Sequence, residues 1–291
     1  MARSALCGLL AALLVGGLAR ADDGPVWVLH GKHNTVYLAG SVHLLKPTDA
    51  ALPPALLQAY AAAEQLVMEL DLDDLDPAAA ATFTQQNAIY PDGSGLRQAV
   101  GEEIWGRAKA ASDRLGVPLE ALDRLEPWAV ALLLSVTELT QRGLDPSFGV
   151  EEQLKQKAQR DHKPITGLET IEFQLGLFDG LSQSEQARFL DLSIRDAETT
   201  ASAMDALTLA WRAGNSADLQ RVLLSEYAAF PELYEALVYR RNRAWLPRVR
   251  ALLEQRDDVL VVVGAMHLVG ERGVVALLRQ DGLAPQSLKV H

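Results

Sequence analysis

Short apolar strands near both ends of the chain and long helical tracts between them predict an α/β fold. The expected architecture is a central mixed β-sheet built from the N- and C-terminal segments and carrying large helical insertions. A chain of 291 residues has ample material for one such core. The prediction is a single domain over 22–291, with the helical insertions at about 77–160 and 182–253.

Each element follows from a local pattern. Residues 26–30 and 35–39 are β-prone runs on either side of Gly31-Lys32-His33-Asn34, a hairpin signal. Pro53-Pro54 opens a helix running to about residue 63. Residues 65–70 read as a buried strand that ends in the acidic run Asp71, Asp73, Asp74, Asp76. From 77 to about 160 the spacing is helical, punctuated at Pro91-Asp92-Gly93, Gly116 and Gly143. Residues 163–166 look like a short strand, after which Gly167 is expected to turn the chain. Ser182 and Glu185 form a capping box that opens a second helical tract to about residue 253. Residues 259–263, four of them valine, form the clearest buried strand. A helix over about 271–280 stopped by Asp281-Gly282, and a last strand at 287–290, complete the set.

The first 21 residues read differently. Arg3, an apolar run over 6–18 and Ala19-Arg20-Ala21 make a signal peptide, with an apolar run too short for a membrane span. Cleavage after Ala21 would remove Cys7, the one cysteine, and leave 25 Lys and Arg against 38 Asp and Glu, a net charge of −13. An exported, cysteine-free chain fits a periplasmic or secreted location and rules out a catalytic cysteine. The acidic balance argues against nucleic-acid binding and against electrostatic docking on anionic lipid. No later segment predicts a membrane helix, so no stable insertion is expected once the signal is removed. No apolar stripe marks an oligomer surface.

Chemistry is concentrated in a few positions. Gly40-Ser41-Val42-His43 and Gly264-Ala265-Met266-His267 each close a strand. If both strands share one sheet, their carboxyl ends bring two imidazoles together where α/β sheets bind ligands. Glu69 sits in an apolar strand, a costly place for a carboxylate unless it is paired, protonated or metal-bound. Glu169, beside the 163–166 strand, is a fourth candidate. Two imidazoles with one or two carboxylates suit Mn²⁺, Co²⁺, Fe²⁺ or Zn²⁺, and such an ion makes a nucleophile of bound water.

Other motifs carry less. The aspartates after residue 70 lack EF-hand spacing, so they read as a solvated loop. His30 and His33 flank the hairpin as surface residues, and His162 has no partner in view. Ser41 lacks a Gly-x-Ser-x-Gly context. Neither a phosphate-binding loop, a dinucleotide fingerprint nor a His-Glu-x-x-His helix is present.

Taken together, the paired Gly-x-x-His sequences, Glu69, Gly167-Leu168-Glu169-Thr170 with Gln174, Arg241-Asn242 with Trp245, and the closing Val263–Leu278 segment resemble the TraB/GumN family. The resemblance spans about residues 27–290. It implies relatives among Tiki-type metalloproteases, pheromone-shutdown proteins and bacterial members without an assigned activity. Residue by residue, it implies His43, His267 and Glu69 as metal ligands, with Glu69, Glu169, Arg241 and Asn242 as candidate catalytic groups. Arg241 would stabilise an oxyanion or hold a substrate carboxylate, or else pair with an exposed helix carboxylate. Asn242 would orient a ligand. The functional expectation is an exported metal-dependent hydrolase, a peptidase before other classes, whose cleft mouth is shaped by the helical insertions. The alternatives are a non-catalytic peptide or small-ligand binder of the same fold, or a purely structural buried network. Glu69 remains either a ligand or a general base.

Overall fold

Successive residues of the 259–264 strand are apolar without alternation because both of its faces are covered. In the computed structural model, which describes residues 26–74, 76–194, 197–224 and 230–289, this strand lies inside a six-stranded mixed sheet. The strands are β1 (Val26–His30), β2 (Thr35–Ser41), β3 (Gln65–Leu70), β4 (Ile165–Glu169), β5 (Val259–Gly264) and β6 (Gln286–Ser287), in the spatial order β4-β3-β5-β2-β1-β6. β4, β3, β5 and β2 run parallel, while β1 is antiparallel to both β2 and β6. The four parallel strands therefore end along one edge.

The helices follow in chain order. They are α1 (Pro54–Ala62), α2 (Pro77–Asn87), α3 (Leu96–Leu115), α4 (Pro127–Gln141), α5 (Val150–Asp161), α6 (Ile171–Asp179), α7 (Gln183–Ser193), α8 (Ala197–Ala213), α9 (Ser216–Leu223), α10 (Pro231–Tyr234), α11 (Arg240–Leu252) and α12 (Val274–Gln280). One sheet face, with Leu66, Met68, Leu260 and Val262, packs on α1, α5, α8 and α9. The other, with Val67, Val259, Val261 and Val263, packs on α11 and α12. This alternation is the period-two geometry of a strand buried on both sides. A separate core joins α3, α4 and α7. The helical insertions thus do two jobs: α5, α8 and α11 cover the sheet, while α3, α4 and α7 form the outlying lobe.

Most expected elements are present. The hairpin closes with Gly31 N donating to Asn34 O, and His30 and His33 are exposed. The capping box at Ser182 and Glu185 is formed in both directions. The acidic run serves as turn and cap, with Asp71 accepting from the Asp73 and Asp74 amides and Asp76 capping α2. Two expectations need correction. Gly167 does not turn the chain but pairs with Met68 inside β4, which continues to Glu169. A side chain there would lie 2.7 Å from the Asp71 amide nitrogen, so the glycine serves close strand packing. The last helix begins at Val274 rather than 271, because Gly270, at φ 79°, holds the preceding loop in a left-handed turn. The signal-peptide segment 1–21 and Val290 lie outside the described residues. No helix among the described residues is long and apolar enough to cross a membrane.

Candidate functional site

The carboxyl ends of the parallel strands gather the two histidines and the two glutamates. β2 delivers His43 two residues past its end, β3 delivers Glu69, β4 delivers Glu169, and the 3-10 turn after β5 delivers His267. Gly264 is the floor of the group. A methyl there would lie 3.3 Å from Glu69 Oε1, 3.5 Å from His43 Nε2 and 3.7 Å from His267 Cδ2. The absence of a side chain at this one position leaves the space in which the three groups converge. A cavity of about 230 Å³ opens over His43 and Glu69 and is lined also by Glu151 and Gln174, while His267 lies outside its lining.

α11 supplies the opposite wall. A π-helical turn at Glu235–Tyr239 joins it to α10, and such turns recur at functional sites because they re-phase a helix. Arg241, Asn242 and Trp245 then face the sheet, together with Val249 and Leu252 of the core. Asn242 Oδ1 accepts from His267 Nδ1 at 2.6 Å, and its amide donates to Arg272 O. That bond places the His267 proton on Nδ1 and leaves Nε2 as an acceptor. Trp245 donates to Glu169 Oε1 at 2.8 Å, and its ring lies 4.5 Å from that of His267.

Arg241 occupies the centre of this wall. Nε donates to Glu169, Nη2 to Glu169 at 2.7 Å and to Glu69 at 2.5 Å, and Nη1 to Leu237 O and His267 Nε2 at 3.1 Å each. All five guanidinium N–H groups are committed to the protein. Arg241 is therefore not paired with an exposed helix carboxylate, and in this arrangement it has no free donor for an oxyanion or a substrate carboxylate. Gln174 completes the set by donating to both Glu69 and Glu169.

Charge states follow from these contacts. Burial works to raise the Glu69 pKa, but the positive charges of His267 when protonated, Arg241 and His43, with the Gly264 amide at 2.6 Å, hold it at about 2. Burial drives His267 down to about 3 against the pull of Glu69, so its imidazole is neutral. The Glu151 carboxylate raises His43 to about 9, outweighing desolvation.

Glu151 had no place in the reading of the sequence. It lies in the first turn of α5, with its side chain only 16% exposed, and accepts from His43 Nδ1 at 2.7 Å and from Ser41 Oγ.

The donor set has the chemistry of a divalent-metal site. Each imidazole has Nδ1 held by an oxygen acceptor, the arrangement that orients metal-binding histidines, and an ionised carboxylate stands beside them. Among the described residues, however, no three His, Cys, Asp or Glu side chains are gathered tightly enough to hold an ion. The Arg241 guanidinium lies where a cation would meet Glu69 and His267.

The sequence profile of the TraB/PrgY/gumN family matches residues 25–287. The chain belongs to this family. It is similar to the uncharacterized protein YbaP of Escherichia coli, at 28% identity over 84% of this chain and 87% of that protein. An uncharacterized protein of Treponema pallidum is 24% identical over 88% of this chain and 80% of its own length. A metalloprotease TIKI homolog of Nematostella vectensis is 22% identical over 87% of this chain and 64% of its own length. No solved structure matches the chain.

Proposed function

We propose that this TraB/PrgY/gumN-family chain is a metal-dependent hydrolase acting on peptides, exported to the periplasm or secreted by means of residues 1–21. The observation that carries the reading is the convergence of His43 Nε2, Glu69 Oε1 and the His267 ring over Gly264, at the sheet edge where α/β folds bind ligands. The relative named a metalloprotease supports the class of reaction.

His43, His267 and Glu69 would hold the ion, the two imidazoles through Nε2, with His43 giving up its Nε2 proton to the solvent on binding. The chemistry a bound divalent ion supplies is an attacking nucleophile made from water at neutral pH. Glu69, kept ionised by Arg241 and the Gly264 amide, would serve as the carboxylate ligand. Asn242 fixes the His267 tautomer. Arg241 and Gln174 hold Glu69 and Glu169 in place. For His267 to bind an ion, Arg241 would have to release Nε2, with Leu237 O left as a partner for Nη1.

The test is elemental analysis of protein purified without chelator, alongside His43→Ala and His267→Ala, followed by a peptide-library cleavage screen. About one equivalent of divalent metal, lost in both variants at an unchanged melting temperature, with metal-dependent cleavage, is the expected result. A wild type that retains no metal after exposure to Mn²⁺, Co²⁺ and Zn²⁺, and binds peptide without consuming it, overturns the proposal in favour of a sequestering protein.

A further inference from the structure

We infer that Glu151 is a positioning residue for His43, working with Ser41 to fix the imidazole so that Nε2 points at the cleft. The inference rests on the reading of the site just given and adds a residue that this reading does not use.

His43 needs such a partner. It stands beyond the end of β2, outside the hydrogen-bonded ladder, and its side chain is 62% exposed on the cavity side. On that side the ring borders the open cavity. The constraint comes from behind, where Nδ1 donates to Glu151 Oε1 at 2.7 Å. A ring held at Nδ1 can offer only Nε2 forward.

Glu151 is itself held from several directions. Ser41 Oγ donates to the same oxygen that His43 uses. The carboxylate sits in the first turn of a 12-residue helix, where free amides and the helix dipole favour negative charge. The start of that helix is docked on the histidine's own backbone, since Val150 N donates to Val42 O at 3.1 Å. A side chain at Gly149 would lie 2.1 Å from His43 O, so only glycine permits this approach. Gly149, Val150 and Glu151 thus grip the Ser41–His43 segment through its backbone and its side chains.

A purely structural role fits less well. α5 is anchored by Val150, Leu154 and Ala158, all fully buried in the main core. That anchorage does not depend on the carboxylate, so Glu151 is free to act through His43. Loss of an outer partner of a metal-binding histidine ordinarily weakens metal affinity about 10–100-fold.

The experiment compares full-length wild type with Glu151→Ala, Glu151→Asp and Ser41→Ala by three readouts. These are Co²⁺ affinity by titration, the proton NMR signal of His43 Nδ1–H in metal-free protein (assigned with His43→Asn), and melting temperature. Wild type should show a deshielded, exchange-protected Nδ1 proton that disappears in Glu151→Ala. Co²⁺ affinity should fall about 10–100-fold in Glu151→Ala, with partial recovery in Glu151→Asp, a smaller loss in Ser41→Ala and similar melting temperatures. An Nδ1 proton that is absent in wild type, or that persists in Glu151→Ala, overturns the assignment. So does a Co²⁺ loss that merely tracks a fall in melting temperature in every variant. A wild type that takes up no Co²⁺ removes the metal reading, and the NMR signal alone then decides the role of Glu151.

Discussion

Replacing Arg241 by methionine keeps the length of the side chain and deletes its charge. Two glutamates with side chains 12% and 6% exposed, Glu69 and Glu169, then share a buried space without their common cation. Leu237 O and His267 Nε2 lose a donor at the same time. Removing one partner from a buried ion cluster costs about 3–5 kcal/mol, because the surviving charges are left uncompensated. In a chain this long each kcal/mol moves the melting temperature by about 2 °C, so a fall of about 6–10 °C at neutral pH is expected. The pH dependence carries a definite sign. Glu69 has its folded pKa depressed from 4.5 to about 2, so its pairing contributes stability above about pH 4.5 that is lost as the pH falls through 2. The gap between wild type and Arg241→Met should therefore narrow across that interval. Circular dichroism melts at pH 7 and pH 3 measure it directly. The triple variant Arg241→Met, Glu69→Gln, Glu169→Gln, which removes the charges together, should recover much of the loss. A deficit below about 1 kcal/mol at pH 7, or one of equal size at both pH values, would refute the view of Arg241 as an internal counter-ion.

Three further outcomes follow from the same geometry. Gly264→Ala places a methyl 3.3–3.7 Å from all three convergent side chains, on a backbone at φ −50° that tolerates alanine. It should abolish Co²⁺ binding in a titration while costing no more than about 1–3 kcal/mol of stability in urea melts. Asn242→Leu leaves His267 Nδ1 and Arg272 O without their bonds, so a loss of about 1–3 kcal/mol in urea melts is expected. Its Co²⁺ affinity should drop about 10–100-fold, and unchanged affinity would count against the role of Asn242 in orienting His267. His43 has its pKa raised from 6.5 to about 9 by Glu151, so that pairing is fully present below pH 6.5 and is lost as the pH rises through 9. The metal-free wild type should lose melting temperature over that window more steeply than Glu151→Gln, by an amount that solvent at the exposed ring keeps small.

The sheet was legible in the sequence because its strands carry their burial in their composition. β5 is apolar at every position since helices cover both faces, and the β1–β2 hairpin announces itself by its turn. Glycine at 167 misleads for a physical reason. A residue chosen for close approach inside a strand has the same letter as one chosen for a turn. α6 went unread because Ile171–Asp179 has no fully buried residue and so no clean apolar stripe. The two histidines and Glu69 were findable, since strand-end motifs and a carboxylate inside an apolar strand stand out locally. Glu151 was not, because its partners lie more than a hundred positions upstream and its neighbour Glu152 looks identical in sequence. The role of Arg241 depended on helical phase. Among Arg240, Arg241 and Arg243, only the three-dimensional register tells which one turns inward.

The π-helical turn at Glu235–Tyr239 has a consequence for how this protein can change over time. Each residue of a helix rotates the next by about 100°, so deleting one residue there would swing Arg241, Asn242 and Trp245 away from the strands. The same rotation would carry Val249 and Leu252 out of the core, because they share that face. Chemistry and packing are geared to a single shaft, so a change in the phase of that helix is felt at the site and in the core together. The wide turn therefore aims a hydrophobic load and a polar one at once.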